Sequence, residues 1–267
     1  MARIERIVVA ACAALAGLMP LAAGAQGFAA LVSPPRFELA AKPGDKIRQV
    51  MEITNAGAQA AKYRLKTADW TLAADASVKF DEALDPGSCR PWVAIESREI
   101  TVASGGKHRF RFEIVTPADA PVGECRFAIL LEGDEQPVQS AGGPSFPVAG
   151  RLGVIVYVVM GDAKAKIEVM GTKIATVNGE DVPVVTVTNT GNAHGRLAGF
   201  LSGTDAAGKK AEFTPATLPI LPGETRAISL VPYRERDDAF KITYPITISG
   251  KLELDGQSIP FEKSFAR

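Results

Sequence analysis

A mid-chain run of apolar, β-branched residues constrains this sequence more than any other feature. Residues Gly142 to Met160 read GGPSFPVAGRLGVIVYVVM. The stretch opens with Gly and Pro and becomes an apolar run rich in Val and Ile, closed by Gly161-Asp162. Turn residues on both sides of such a run predict a β-strand. Both parities are apolar: Leu152, Val154, Val156 and Val158 on one face, Ile155, Tyr157 and Val159 on the other. Gly153 is the single gap. A surface strand alternates apolar with polar residues, so this one needs cover on both faces. It is too short to span a membrane.

The N-terminus has the pattern of an export signal. Arg3 and Arg6 form a basic start, and Ile7 to Leu21 is an apolar core interrupted by Gly17 and Pro20. Ala23-Gly24-Ala25 has the small-x-small pattern of a signal-peptidase site. Residues 1–25 are therefore expected to be a cleaved signal peptide, with Gln26 as the first mature residue. No later segment has the 18 apolar residues of a membrane span, so no membrane insertion is expected after cleavage. Export leaves two cysteines, Cys89 and Cys125. In an oxidising compartment these favour a disulfide, which stabilises by roughly 3–4 kcal/mol in the chain-entropy model. A metal site and a redox pair are the alternatives, and neither has the close CxxC spacing that would recommend it.

Short alternating segments fill the chain before the apolar run. Leu31 to Leu39 is extended and broken by Pro34-Pro35, which suits a kinked edge strand. Ile47–Thr54, Tyr63–Trp70, Trp92–Ile95, Ile100–Val102, His108–Val115 and Cys125–Leu131 follow, separated by Gly, Pro, Asn and Ser turns. About seven or eight strands between Leu31 and Val159, with almost no helical period, predict an antiparallel sandwich of immunoglobulin-like size. The pattern then restarts. Val187-Thr188-Asn189-Thr190-Gly191 echoes Ile53-Thr54-Asn55-Ala56-Gly57, and the turn at Pro222-Gly223 echoes Gly105-Gly106. The fold class expected is all-β: two immunoglobulin-like sandwiches, 26–161 and 162–267, joined by a short elbow near Gly161.

Several function classes lack support. Lys plus Arg and Asp plus Glu number 30 each, so no net charge draws the chain to nucleic acid. Arg109-Phe110-Arg111-Phe112 interleaves bases with aromatics, but alternation places the two sets on opposite faces of an ordinary strand. No H-E-x-x-H, G-x-S-x-G, phosphate loop or dinucleotide fingerprint occurs. The two histidines, His108 and His194, fall in different sandwiches and read as solvated surface residues. Glu132, Asp134 and Glu135 read as a solvated loop. No catalytic residue, metal ligand or cofactor is expected, and the chain does not read as an enzyme.

With these elements in order, the sequence resembles the PapD-like periplasmic chaperones of pilus and fimbrial assembly. The resemblance rests on Val32-Ser33-Pro34-Pro35-Arg36-Phe37-Glu38-Leu39, on Ile53-Thr54-Asn55, on Pro91-Trp92-Val93, and on Gly123-Glu124-Cys125-Arg126-Phe127-Ala128-Ile129 leading to a long last strand. It implies a protein of the periplasm that binds pilus or fimbrial subunits and then an outer-membrane usher. Such chaperones lend the last strand of their first domain, and the loop before it, to a subunit lacking one strand. The donor side chains implied are Phe146, Val148, Leu152 and Val154. A first-strand arginine and a lysine near the start of the last strand hold the subunit's terminal carboxylate in that family. Arg36 matches the first; no lysine matches the second, and Arg151 lies nearest. The plainer reading of Arg36 is a surface charge on an edge strand. Gly142-Gly143, Pro147 and Gly150 depart from the family's apolar alternation. The chaperone reading expects a cleft between the domains containing Arg36, and a free loop from Gly133 to Gly150. The alternative is a secreted two-domain β-sandwich that binds other ligands, mediates adhesion or serves as a structural subunit of the cell envelope.

Overall fold

The computed structural model describes residues 28–139, 143–177, 179–233 and 241–267. The expected signal peptide and Gln26 lie outside the described residues. The chain forms two all-β lobes. The first contains β1 (Ala30–Ser33), β2 (Arg36–Ala41), β3 (Lys46–Asn55), β4 (Ala61–Leu72), β5 (Val78–Asp81) and β6 (Val93–Ile95). It continues with β7 (Glu99–Val102), β8 (Lys107–Val115), β9 (Gly123–Gly133), β10 (Gln136–Gln139), β11 (Ser145–Val148) and β12 (Arg151–Met160). One sheet has the order β1-β3-β8-β6 and the other β2-β12-β9-β4-β5, with β7 also on β4. This is the ABED and GFC pairing of an immunoglobulin-like sandwich, with the first strand split between the sheets. The split falls at Ser33-Pro34, a cis peptide. β10 and β11 form a ribbon of their own.

After Met160 the chain crosses to the second lobe, built from β13 (Ile167–Val177), β14 (Glu180–Asn189), β15 (Leu201–Asp205), β16 (Lys210–Pro215), β17 (Thr225–Pro232), β18 (Ile246–Leu254) and β19 (Gln257–Phe265). Their order is β13-β14-β17-β16-β15-β18-β19. β17 pairs with β14 through Thr225–Ser229 and with β16 through Leu230–Pro232, so one strand serves both halves of the sandwich. Val187, Phe213, Ile228, Ile248 and Phe265 pack between those halves.

β12 is covered twice, as its two apolar parities require. Val154, Val156, Val158 and Met160 enter the core of the first sandwich with Phe112, Phe127 and Ile129. Ile155 and Tyr157 face outward among Trp70, Ala128 and Leu130, where Leu221 of the second lobe joins them. Each large side chain buried this way is worth about 1.5–3 kcal/mol. Gly153 is the gap in the run because Phe80 lies over it; a Cβ there would overlap the Phe80 ring.

The echoed sequence motif is one device used twice. Asn55 and Asn189 are both buried at strand ends. Asn55 Oδ1 accepts from Gly57 N–H at 2.9 Å, and its Nδ2 donates to Gln59 O and Val102 O. Asn189 Oδ1 accepts from Gly191 N–H at 2.9 Å, and its Nδ2 donates to Ala193 O and Ile220 O. In each lobe the second echoed turn docks on the same residue: Asn55 N–H donates to Gly106 O, and Asn189 N–H to Glu224 O. The amide closes a turn that the backbone alone leaves unsatisfied.

Other expectations need correction. β5 and β16 were not anticipated; both are short and interleaved with polar residues. Trp92, expected to open a strand, instead closes a 3-10 turn, Arg90–Trp92, ahead of β6. β18 runs without a break from Ile246 to Leu254 through Gly250. Cys89 and Cys125 are disulfide-bonded, with Cα atoms 5.9 Å apart, so the two sulfurs are bonded to each other and not held as ligands of a metal. The bond ties the loop before β6 to β9.

Asn55→Ala and Asn189→Ala each strip partners from several buried backbone groups. Each is expected to lower the unfolding free energy by about 1–3 kcal/mol, read from urea melts.

Candidate functional site

A cleft of about 420 Å³ opens where the lobes meet. β2 brings two of its residues there through its register. It runs parallel to β12, with Arg36 beside Ile155, Phe37 beside Val156 and Glu38 beside Tyr157. Phe37 therefore turns into the core, while Arg36 and Glu38 share the outer face with Tyr157. The second lobe supplies Lys164, His194, Arg196 and Asp255. Arg36 Nε donates to Glu38 Oε1 at 2.8 Å, and Arg196 Nη1 lies 3.4 Å from the same oxygen. Burial works to raise the Glu38 carboxyl. The hydrogen bond from Arg36 and the charges of Arg196, His194 and Arg36 outweigh it and hold Glu38 below the usual carboxylate range. Arg36 remains half exposed. Lys164 is exposed, and among the described residues no ion pair engages its side chain.

Beneath the cleft the lobes are joined by groups far apart in sequence. The Glu124 side chain is fully buried. Its Oε2 accepts the His194 backbone N–H at 2.8 Å and contacts His194 Nδ1. Glu124 N–H donates to Asn192 O at 2.8 Å. The His194 ring stacks on Tyr157 at 3.8 Å, and the Arg196 guanidinium sits 5.4 Å from the same ring. A second latch is Arg226, buried in the second lobe, which donates to Leu72 O and Ala73 O at the end of β4. His194 is thus an interface residue, not a solvated one. His108 is on the surface, paired with Glu96 at 2.7 Å.

Arg151 is not in the cleft. It lies on the same face of β12 as Ile155 but four residues upstream, about 13 Å from the level of Arg36 at the usual strand rise. There it pairs with Glu132 at 2.5 Å and Glu82 at 3.5 Å, while Lys66 reaches the same two carboxylates. Burial works to raise the Glu132 carboxyl, but Lys66 and Arg151 outweigh it and leave it depressed. Glu132 is therefore a mostly buried ion-pair partner rather than part of a solvated loop. Arg151 is already neutralised.

The four expected donor positions are divided. Phe146 and Val148 stand on β11, 55% and 50% exposed. Val154 is fully buried and Leu152 packs against the same core, because the β12–β9 ladder already runs at Arg151. The segment from Gly133 to Gly150 is not a bare loop: Gln136–Gln139 pairs with Ser145–Val148, while residues 140–142 lie outside the described residues. What lies open is a backbone edge. Gly150 O accepts from β9, and Gly161 N–H donates to Ala41 O of β2. Alternation between these points aims the odd-numbered amides of β12 toward the β2 side. β2 covers that side only from Ile155 onward. Among the described residues no strand pairs there with Arg151 to Val154, so the Arg151 and Gly153 amides face an open edge.

Sequence reasoning singled out Arg36 but missed Lys164, Arg196 and Glu124. Lys164 follows the elbow closely enough to suggest a cleft position; nothing in the sequence links Glu124 to His194. Among the described residues no group of three or more His, Cys, Asp or Glu is placed to hold a metal, and no helix is long and apolar enough to cross a membrane.

No family model and no curated protein matches this chain. Solved structures resemble it at low identity. The YadV chaperone is 10% identical with a TM-score of 0.47, over 88% of this chain and 99% of that one. The CupB2 chaperone of Pseudomonas aeruginosa is 11% identical with a TM-score of 0.47, over 88% and 100%. The Salmonella enterica SafA pilin in complex with the SafB chaperone matches at 14% identity with a TM-score of 0.44, over 89% and 96%.

Arg36→Ala removes the hydrogen bond that depresses Glu38. The Glu38 carboxyl, followed by NMR, should then titrate at higher pH. The stability that Glu38 contributes is present above the ordinary carboxylate range and lost as pH falls through its depressed value; in the variant that contribution should be smaller, and its loss should be complete at a higher pH.

Proposed function

We propose that this chain is a periplasmic chaperone that binds and caps pilus or fimbrial subunits by β-strand donation and then delivers them to an outer-membrane usher. The observation that carries this reading is the open edge of β12 in line with β2. A partner strand laid on Ala149 to Val154, parallel to β12 as β2 is, would end where β2 begins. Its C-terminal carboxylate would then arrive beside Arg36. Main-chain bonds to the outward amides of Arg151 and Gly153 supply affinity. Pro147 has no N–H and interrupts that edge upstream, so the added strand is short.

Phe146 and Val148 are the exposed apolar side chains of the donor; Leu152 and Val154 hold the donor strand to its own core. The carboxylate anchor is Arg36 with Lys164, the exposed lysine across the cleft. Arg151, held by Glu132 and Glu82, takes no part. Glu38 holds the Arg36 guanidinium until a carboxylate competes for it. No step breaks or forms a covalent bond, and the donor set calls for no cofactor.

The alternative, a secreted adhesion or structural β-sandwich, draws on a different surface. Phe200, Val231 and Tyr233 are exposed on the second lobe. That reading leaves the cleft and the β12 edge without a role.

Co-expression with candidate subunits and purification of the complex tests the proposal. Arg36→Ala with Lys164→Ala should reduce retained subunit by at least about tenfold, since each cation removed costs a charge-assisted contact. Phe146→Ser with Val148→Ser should do the same, whereas Phe200→Ala should leave capture unchanged. Full retention by the Arg36 and Lys164 double variant would remove the anchor from the account.

A further inference from the structure

We propose that Phe28 is a positioning residue for the β10–β11 ribbon, seated in a notch that two glycines make at the ribbon's root. The ribbon leaves the sheet just beyond Gly133 and Gly150, whose strands are joined there by Gly133 N–H donating to Gly150 O at 3.0 Å. The Phe28 side chain lies on both residues. A Cβ added to Gly133 would come within 2.8 Å of the ring, and one added to Gly150 would fall inside the Phe28 side chain. Any other residue at Gly150 therefore evicts the ring. This accounts for a glycine that interrupts the apolar alternation expected of a donor strand.

Phe28 is anchored from behind, to the opposite sheet. Ala30–Ser33 pairs with β3, and Ala56 N–H donates to Ala29 O at 2.8 Å. In front, the ring meets Tyr63 edge-on at 5.9 Å. The ring thus ties the ribbon's root to the sheet that does not carry it. Packing beyond it is loose. A cavity of about 200 Å³ is bordered by Phe28, Asn55, Lys62, Tyr63 and Asp134, and among the described residues the buried Tyr63 hydroxyl has no hydrogen-bond partner. Once the ring leaves, the root has room to shift.

The ribbon depends on this brace. A two-stranded ribbon is marginal in isolation. Among the described residues β10 and β11 pair only with each other. Pro137 faces Pro147, so neither donates to a neighbour at that level. Phe28 sets the direction in which Phe146 and Val148 are presented. That consequence rests on the proposed chaperone function; the seat itself does not.

Amide hydrogen exchange on the full mature chain, without a partner, tests the seat. Phe28→Ala should speed exchange in peptides covering residues 134–149 by about tenfold or more, with β3 and β8 unchanged within about twofold. Gly150→Ala should have the same local effect, because its Cβ displaces the ring. Phe28→Gly also clears the Phe28 Cβ that would lie 2.0 Å from an added Gly150 Cβ, so the double variant of Phe28→Gly with Gly150→Ala should exchange no faster than Phe28→Gly alone. Phe28→Leu, which keeps apolar volume, should restore most of the protection. Unchanged ribbon exchange in Phe28→Ala overturns the proposal. So does an equal rise through β3 and β8, which would make Phe28 a general core residue, or fully additive effects in the double variant. If the wild-type chain retains no subunit while these exchange results hold, the chaperone reading fails and the seat stands.

Discussion

β12 needs cover on both faces, and the lobes are arranged to provide it. Its even-numbered side chains fill the first sandwich. Its odd-numbered ones, Ile155 and Tyr157, would expose a broad apolar surface if the first lobe stood alone. The second lobe closes over that face with Leu221, with the His194 ring on Tyr157, and with Arg226 on the end of β4. The cleft is the gap left at the margin of this contact, where β2 runs along the sheet edge. Its charges follow from the same packing. Arg36 and Glu38 share the outward parity with Tyr157, and Lys164 and Arg196 flank the segments that reach across. A buried carboxylate, Glu124, is tolerated because it accepts from the neighbouring lobe's backbone and imidazole.

Open sheet edges invite pairing, and most edges here are short or shielded. β1 has four residues and β6 three. β13 and β19 lie near each other on the second lobe. The front of β12 differs: its amides face outward, the edge continues into β2, and the cationic cleft lies at the far end. An edge that stops at a cation suits a partner chain that also stops there. The ribbon extends this edge and carries exposed apolar side chains, while the proline in each of its strands limits how far a foreign strand can zip along it.

Local patterns in the sequence were legible wherever partners lay close in the chain or followed a fixed period. The two-faced character of β12 was visible from Leu152 to Val159, as were the inward Phe110 and Phe112 of β8. The Asn55 and Asn189 echo marked a real common device, because an amide closing its own turn is a local event. Misreadings occurred where the deciding partner came from elsewhere. His194 looked solvated because Glu124 stands seventy residues earlier. Glu132 looked like part of a polar loop because Lys66 and Arg151 reach it from two neighbouring strands. Arg151 was nearest in sequence to the place where a second cation was wanted, yet strand rise puts it about 13 Å from the level of Arg36, while Lys164 from beyond the elbow lines the cleft. Leu152 and Val154 shared parity with Phe146 and Val148, but parity does not reveal where a ladder begins. Gly150 and Gly153 looked like defects in an apolar run; each makes room for a ring from a distant segment, Phe28 in one case and Phe80 in the other.

The central claim is that the edge of β12 ahead of β2 receives a partner strand. Residue-resolved amide exchange, comparing the free chain with a purified complex of the chain and a bound subunit, measures this directly. The account predicts that the Arg151 and Gly153 amides, exchanging freely alone, become strongly protected in the complex, with no new protection along β6, β13 or β19. A stable complex in which Arg151 and Gly153 exchange as fast as in the free chain would contradict it.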